Sequence, residues 1–444
     1  MPEFSDLLLE EVKNKKSEIE RVLAGGDSIF KEYAELVSKK WNPLPAPTVV
    51  PRNIYAVDSS SGVIELRAGG VLLVLRSLAF STPLSTHRKL GVEAFYPHSI
   101  RDFEEYVRLA REHYEHNVAL DALNENPSFI LLDGSLYGRM IHVLRELDLE
   151  EREDFLFEYV KTYSQFLRKA LENKVTVIGV SKDSRSTIFK EELLKEQVLQ
   201  EASRFGADTS ELAGLWGSLR RRPRETIESV RQKVRSGELP ERILEYFLQA
   251  RSHIPDSKII LLSGVEEGFS TPILLTLSKI IAGQFDLVLS EDATMQIHKL
   301  SKVFSKSYDA DPEEFEARAR ELIGNLRSYP PVAVFYTLLG PNDDPIRVDV
   351  VSHELQEFLF LKDRPSLESL LFMPSIMEKE MIPMTLSLLQ SLYAGYRGYN
   401  VLLLEADRRV KITVDTLETY RKIIMRELEL LVLHSRGERR VHYP

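Results

Sequence analysis

Short runs of apolar residues alternate along the chain with longer segments whose apolar positions recur at helical spacing. Segment 1–40 has this helical spacing, and the Pro-rich connector that follows at 41–51 cannot continue a helix. The next part predicts, in order, strands at 54–58, 63–67 and 70–80, a helix at 100–124, a strand at 128–132, a helix at 141–173 and a strand at 175–180. The Ser- and Gly-rich segment 59–62 predicts a turn between the first two strands.

The resulting order, β-β-β-α-β-α-β, is that of the ribonuclease-H-like fold. We therefore predict an α/β protein with a ribonuclease-H-like mixed sheet flanked by helices, a helical insertion, and helical N- and C-terminal extensions. The predicted segments are an N-terminal helical arm and connector at 1–50, the first part of the core at 51–185, a helical insertion at 186–255, and the completion of the core with C-terminal helices at 256–444.

The second half of the chain has a weaker pattern. It predicts strands at 258–262, 285–289, 332–339 and 346–351, and helices at 384–397 and 413–433. Neither an internal repeat nor a low-complexity tract interrupts it. The chemistry therefore has to be sought in individual side chains, because a fold alone does not specify a function.

Two aspartates follow buried strands of the predicted core. Asp58 ends the first apolar strand, Asp133 ends the strand after the first long helix, and small residues follow both. Neighbouring strands lie about 4.8 Å apart, so two carboxylates at the same end of adjacent parallel strands can share a divalent ion. Such an oxygen-rich site suits Mg²⁺ or Mn²⁺. The alternative interpretation is that each aspartate only caps the turn after its strand.

A third acidic ligand is expected from the helix that precedes the second aspartate strand. Glu112 and Glu115 lie three residues apart there, on one helix face. Glu65, seven residues after Asp58, is a further candidate, and the sequence leaves the three open. Lys182 follows the strand at 175–180 and is placed to contact a phosphate near the same rim, or else is an ordinary surface lysine.

Composition limits the other possibilities. The 444 residues include no cysteine, which excludes disulfides, thiolate nucleophiles and Cys-ligated metals. The net charge of −10 argues against a broadly nucleic-acid-binding surface, so any DNA contact must be local. We predict salt-sensitive phosphate contacts from the densest basic run, which holds Arg220, Arg221, Arg222 and Arg224. The alternative is that this run is a helix-cap or interface cluster. The charged N-terminal segment is unlike a signal peptide, and we predict a cytoplasmic protein.

Four short motifs resemble those of the NurA nuclease family, prokaryotic DNA-end-processing enzymes with a ribonuclease-H-like core. Three are VDSSSG at 57–62, LLDGSL at 131–136 and GVSK at 179–182. The fourth is a C-terminal Gly-Tyr that the family follows, eight residues after the Tyr, with a His. Here Gly398-Tyr399 is followed by Asp407 at that position, so the Tyr is kept and the His is replaced.

The resemblance implies a set of roles. Asp58, Glu115 and Asp133 would be metal ligands, Tyr399 a site residue near the scissile phosphate, and Asp407 the replacement of a histidine. Lys182 would be a further site residue whose role the motif does not assign. The resemblance also implies dependence on Mn²⁺ (or Mg²⁺), a homodimer, and a HerA-type hexameric DNA-translocating ATPase as partner.

We therefore predict a metal-dependent DNA nuclease that uses two divalent ions. The resemblance implies 5′–3′ exonuclease or single-strand endonuclease activity, or both, in DNA end resection and double-strand-break repair. Two alternatives stay open: a non-catalytic DNA-binding adaptor of the ATPase, which the Asp407 replacement favours, and another ribonuclease-H-like nuclease such as a junction resolvase or an RNA–DNA hybrid nuclease.

Overall fold

The computed structural model of the chain describes residues 4–19, 27–48, 53–66, 69–82, 85–150, 152–219, 222–275, 292–363 and 372–428. Within them the chain forms two compact units. Unit 1 comprises Met1–Leu44, Asp183–Thr271 and Tyr336–Ile346, and unit 2 comprises Pro45–Lys182, Pro272–Phe335 and Arg347–Pro444. In the part of the chain described, no helix combines the length and the apolar character that crossing a membrane requires.

The described strands are β1 (Trp41–Asn42), β2 (Ile54–Glu65), β3 (Val71–Ser81), β4 (Thr86–Phe95), β5 (Phe129–Asp133), β6 (Thr176–Ser181), β7 (Gly268–Ser270), β8 (Ile273–Leu275), β9 (Val332–Leu338) and β10 (Ile346–Val351). The described helices are α1 (Phe4–Asn14), α2 (Asp27–Ser38), α3 (Ile100–Ala122), α4 (Leu136–Met140), α5 (Phe155–Glu172), α6 (Ile188–Phe205), α7 (Thr209–Ser218), α8 (Pro223–Arg235), α9 (Glu241–Ala250), α10 (Asp256–Leu262), α11 (Ala293–Val303), α12 (Ser305–Ala310), α13 (Pro312–Arg327), α14 (Met381–Leu392), α15 (Val401–Val410) and α16 (Val414–Leu428).

Unit 2 carries a mixed sheet in which six strands lie in the order β10-β6-β5-β2-β3-β4. Strands β2, β5 and β6 are parallel, whereas β3 and β4 form an antiparallel meander with β2, and β10 is antiparallel to β6. Helix α3 connects the meander to β5, and α4 and α5 connect β5 to β6. This order confirms the predicted ribonuclease-H-like α/β fold.

Two helices cover the sheet near its first strand. Both α3 and α15 pack against β2 and β3. The Ser59 hydroxyl donates a hydrogen bond to Glu115 on α3, whereas the Ser60 hydroxyl accepts one from the Ile412 N–H at 3.0 Å, just beyond α15. Because successive side chains of a strand point to opposite faces, α3 and α15 lie on opposite faces of the sheet.

The turn predicted at 59–62 is wrong, because β2 runs unbroken from Ile54 to Glu65. Its small residues serve packing and hydrogen bonding instead. A Cβ added at Gly62 would lie 2.7 Å from Leu417 Cδ1, so glycine there lets α16 approach the strand. The third strand of the meander is β4, which the sequence prediction missed. It alternates partly exposed and exposed residues over most of its length, and charged side chains such as Arg88 and Lys89 obscure its pattern.

Two further predictions about the core were wrong. The helix predicted at 141–173 begins only at Phe155, as α5, and residues 141–150 and 152–154 are not helical. Leu144, Leu147 and Leu149 are buried in that connection, so its apolar residues pack without forming a helix. The helix predicted at 384–397 ends at Leu392, and Gly395 follows with φ +84°, which a side chain would oppose.

Unit 1 is mainly helical. From α6 to α9, each helix packs against the next one in the chain, and α6 also packs against α9. Helix α2 packs against α10. The helical character predicted for 186–255 is therefore confirmed, while its description as an inserted domain stays a prediction. The strand predicted at 258–262 is wrong, since α10 occupies it. Ile259 and Ile260 are buried whereas Leu261 and Leu262 are half exposed, and Asp256 in the first turn favours a helix start. The strand predicted at 285–289 lies outside the described residues.

Candidate active site

The parallel pairing of β2 and β5 brings the two predicted aspartates together. Val57 pairs with Leu132, so Asp58 and Asp133 follow at the same level of adjacent strands. Strand β5 ends at Asp133, and Gly134 turns the chain away with φ +102°. Strand β2 continues beyond this level, paired with β3 only, which leaves a gap beside Asp58. The carboxylate of Asp58 is buried and that of Asp133 is half-buried.

Among the three candidates for a third acidic residue, only Glu115 lies in this cluster. The Ser59 hydroxyl donates a hydrogen bond to Glu115, and the Arg139 guanidinium contacts its other oxygen at 2.5 Å. Glu112 instead contacts His142 at 2.8 Å and Tyr159 at 2.5 Å. Glu65 is exposed at the far end of β2, about 23 Å from Asp58 at 3.3 Å per residue. The structure therefore separates Glu112 and Glu65 from the two aspartates.

Arg139, on α4, links the acidic residues. Its guanidinium is buried and, besides Glu115, it contacts the Asp133 carbonyl oxygen at 2.9 Å and His116 Nε2 at 3.1 Å. Burial, reinforced by the charge of Arg139, lowers the pKa of His116 well below its ordinary value, so the neutral ring accepts this hydrogen bond. One cation thus fixes both the helix that carries Glu115 and the strand end that carries Asp133.

The acidic groups act on one another electrostatically. Burial and the charge of Glu115 raise the pKa of Asp58 to about 7; the Ser59 N–H, 2.7 Å away, opposes this, and Asp133 and Asp407 add to the rise. Burial also raises the pKa of Asp133. The positive charges of Lys182 and Arg139 lower this pKa, but the effect of burial is larger. The site therefore concentrates more negative charge than it neutralises internally.

Lys182 and Tyr399 lie at the rim of the same cluster. Lys182 Nζ is 3.7 Å from Asp133 Oδ2 and 3.5 Å from the Tyr399 hydroxyl, and it lies over the Tyr399 ring at 4.9 Å from the centroid. Burial, together with Asp133, Asp58 and Asp407, raises the pKa of Tyr399 well above 10, so the phenol keeps its proton. Asp407 is exposed on α15, on the Ser60 side of the sheet.

The donors fit a hard divalent cation in their chemistry. They are carboxylate oxygens, and the raised pKa of Asp58 reflects negative charge that a bound cation would offset. Within the described residues, no three acidic or imidazole side chains already converge as a metal-binding group. Glu115 is directed to Arg139 and Ser59, so it would complete such a site only by sharing or exchanging these contacts.

Comparison with known proteins now places this site in a family. Residues 52–412 match the family model of the NurA domain. The chain belongs to the NurA family. A crystal structure of the NurA nuclease from Sulfolobus solfataricus is similar at 16% identity and a TM-score of 0.49, covering 96% of this chain and 98% of that one. A NurA crystal structure with bound dAMP and manganese is similar at 16% identity and a TM-score of 0.36, covering 94% of each chain. No curated protein sequence matches significantly.

The NurA family motifs occupy defined positions around the cluster. The glycine of the GVSK motif, Gly179, pairs with Leu132 on one side and with Asp349 on the other. A Cβ there would lie 2.5 Å from the Gly134 carbonyl oxygen, so glycine allows the turn after Asp133 to fold over β6. Asp349 accepts hydrogen bonds from the Ser135 hydroxyl at 2.6 Å and the Tyr137 N–H at 3.0 Å, which fixes that turn.

Sequence reasoning missed Arg139, Ser59 and Asp349 as parts of this NurA site. Ser59 lies in the VDSSSG motif, which assigns it no role, and Arg139 carries no sequence signal beyond its position six residues after Asp133. Asp349 does carry a sequence signal, because Arg347 and Asp349 are charged residues two positions apart in an otherwise apolar strand. In the structure they form a buried ion pair at 2.7 Å.

The predicted basic run lies in unit 1, whereas the carboxylate cluster lies in unit 2. Arg220 and Arg221 lie outside the described residues. Arg222 and Arg224 are exposed at the start of α8 in unit 1, and Arg222 lies 3.6 Å from Glu225. DNA binding by this run stays a prediction.

Proposed function

We propose that this NurA family member hydrolyses phosphodiester bonds in DNA with the help of bound Mn²⁺ or Mg²⁺. The observation that carries the proposal is the pairing of Asp58 and Asp133 at one level of two parallel strands, with Glu115 and Asp407 near enough to affect the pKa of Asp58. The family supports this proposal. One solved member is named as a nuclease, and another holds dAMP and manganese.

In this proposal Asp58, Asp133 and Glu115 would hold the divalent ions of a two-metal site. Such ions supply positive charge beside the phosphate and make a coordinated water more acidic. Arg139 keeps Glu115 and the end of β5 in place through its two contacts. The buried surroundings of Asp58 exclude bulk water and strengthen each electrostatic interaction.

The rim residues would handle the phosphate. The Lys182 ammonium lies beside both Asp133 and the Tyr399 hydroxyl, where it would contact a non-bridging phosphate oxygen. Because its pKa is raised, the Tyr399 phenol stays protonated and would donate a hydrogen bond to the phosphate or the attacking water rather than remove a proton. Asp407 would contribute a further oxygen where other family members carry a histidine.

The finer assignment extends the same proposal. We infer 5′–3′ exonuclease or single-strand endonuclease activity, or both, in DNA end resection and double-strand-break repair. We also infer a homodimer that acts in the cytoplasm with a HerA-type hexameric ATPase. These statements rest on the family resemblance of the four motifs.

A nuclease assay tests the proposal directly. The purified chain is incubated with Mn²⁺ and linear duplex, single-stranded, branched or RNA–DNA hybrid substrates, labelled at either the 5′ or the 3′ end. We expect cleavage of the linear DNAs and its loss in Asp58→Ala, with full activity in Asp309→Ala, an exposed aspartate on α12. Full activity in Asp58→Ala would refute the assignment of the site, and a preference for branched or hybrid substrates would favour another ribonuclease-H-like nuclease.

A non-catalytic adaptor is the second candidate, favoured by Asp407 at the histidine position. An adaptor would bind DNA and the ATPase but show no hydrolysis with any divalent ion. Restoration of cleavage by Asp407→His in an otherwise inactive protein would indicate that the replacement inactivated an ancestral nuclease site.

A further inference from the structure

A cavity of about 520 Å³ lies between β3, β4, α15 and the second turn of α16. Arg76, Arg88, Lys89 and Arg409 contribute to its lining, together with Tyr420 and apolar groups such as Leu90. No carboxylate occurs among its described lining residues. The ammonium of Lys89 lies 3.3 Å from Asp121 on α3, at the opposite face of the sheet, so the charge of the cavity comes from the three arginines. In a chain with a net charge of −10, these three arginines mark a local positive region.

The positive charges of this cavity are incompletely neutralised by the protein. Arg88 is exposed, and its guanidinium has no hydrogen bond or ion pair within the described part of the chain. The Arg76 guanidinium donates to the Arg409 carbonyl oxygen at 3.0 Å, which is a neutral acceptor. Arg409 pairs with Glu405 at 2.5 Å and lies over the Phe80 ring at 4.1 Å. The two arginines on the strands therefore retain donors for an external anion.

The strand register relates the cavity to the carboxylate cluster. Asp58 pairs with Leu78, and Leu78 pairs with Arg88. Directly opposed residues in antiparallel strands share a face, so Asp58 and Arg88 belong to the same face of the sheet, two strands apart. At 4.8 Å per strand the backbones at these two positions are about 10 Å apart, so one nucleic-acid strand can reach both.

We propose that this cavity binds the phosphodiester backbone of a nucleic-acid strand that extends from the carboxylate cluster. The proposal rests on the proposed function, because it assumes that a strand occupies that cluster. Arginine guanidinium groups match phosphate oxygens with paired N–H donors. Tyr420 and Leu90 add the aromatic and apolar surface on which a base can pack, the combination that single-strand-binding grooves use.

Binding measurements in EDTA test the cavity without hydrolysis. The probe is a fluorescein-labelled oligothymidine of about 20 nucleotides, titrated by fluorescence anisotropy at several salt concentrations. We expect Arg88→Ala to reduce the slope of log K against log salt by about 0.7, the loss of one single-strand phosphate contact. Arg88→Glu should weaken binding further. The matched control is Lys161→Glu, an exposed cation on α5, which packs against α3. Circular dichroism verifies that each variant is folded.

A second measurement separates this proposal from the proposed function. Turnover of a chromogenic single-nucleotide phosphodiester with Mn²⁺ reaches only the carboxylate cluster, so Arg88→Ala should leave it unchanged. Absence of turnover in the wild-type protein would count against the nuclease assignment, while the binding titration would still decide the role of the cavity. Equal affinity and salt slope in wild type and Arg88→Glu would overturn the proposal.

Discussion

Replacing Asp58 by asparagine should make the metal-free protein more stable while abolishing hydrolysis. Burial and the neighbouring charge of Glu115 raise the pKa of Asp58 from 3.8 to about 7. Between these values the folded state holds a proton that the unfolded state has released. Wild-type stability therefore falls as the pH rises from about 4 to about 7 and stays low above it. An asparagine side chain carries no charge, and its amide oxygen can still accept the Ser59 N–H.

The expected magnitude follows from the same shift. A rise from 3.8 to about 7 corresponds to about 4 kcal/mol at 1.36 kcal/mol per pKa unit, fully present above pH 7. Unit 2 contains about 300 residues, for which an unfolding entropy of about 2.1 cal/mol/K per residue translates 4 kcal/mol into about 6 °C. We therefore expect Asp58→Asn to melt up to about 6 °C higher than wild type at pH 8 in EDTA, with little difference at pH 4.

Thermal melts at several pH values provide the assay, and Asp102→Asn is the matched control. Burial raises the pKa of Asp102, but hydrogen bonds from Arg145 and Ser99 outweigh it, so its pKa is lowered overall. Its replacement should therefore destabilise the protein at pH 8, the opposite sign. Mn²⁺ should raise the melting temperature of wild type more than that of Asp58→Asn, because the variant loses one charged ligand. A variant less stable than wild type at pH 8, or a difference that does not change with pH, would refute the reasoning.

Three further predictions concern the surroundings of the cluster. Arg139→Met should leave Glu115 buried without its cation and so destabilise the protein by about 3–5 kcal/mol in chemical denaturation. Arg139→Lys, the control, should retain most of the stability. Equal stability of wild type and Arg139→Met would contradict this prediction. Asp407→Asn should weaken Mn²⁺ binding about tenfold in calorimetric titration, since it removes a charge that acts on Asp58, and unchanged affinity would place Asp407 outside the site. Gly179→Ala should cost about 1–3 kcal/mol, because its methyl group would meet a backbone carbonyl at 2.5 Å; a neutral effect would show that the turn can move.

Strand order and the two aspartates could be predicted because they depend on local pattern. Buried parallel strands such as β5 and β6 are continuous apolar runs, and Asp133 is a polar residue at the end of one. The meander was harder, since β4 has an exposed edge and its charged residues resemble those of a loop. Ser59 and Gly62 were read as turn residues because their actual partners, Glu115 and Leu417, are remote in sequence. Long-range contacts of this kind leave no periodic signal.

The third acidic residue illustrates the same limit at the level of chemistry. Glu112 and Glu115 are three residues apart, and helical spacing cannot distinguish them. The distinction comes from Arg139, which reaches Glu115 only because the Gly134 turn brings α4 back over the end of β5. Glu112, less than one turn away, instead meets His142 and Tyr159.

The position of Asp58 within its strand explains how one site can receive groups from both faces of the sheet. If β2 ended at Asp58, its carboxylate would point into solvent. Because β2 continues while β5 stops at Asp133, the missing strand leaves an opening that is bordered by backbone on one side only. Glu115 on α3 and Asp407 on α15 lie on opposite sides of the sheet, yet both affect the pKa of Asp58 through this opening. The feature that concentrates the acidic groups is thus a strand, β2, that extends beyond the end of its parallel partner β5. We expect shortening of β2 to separate these groups.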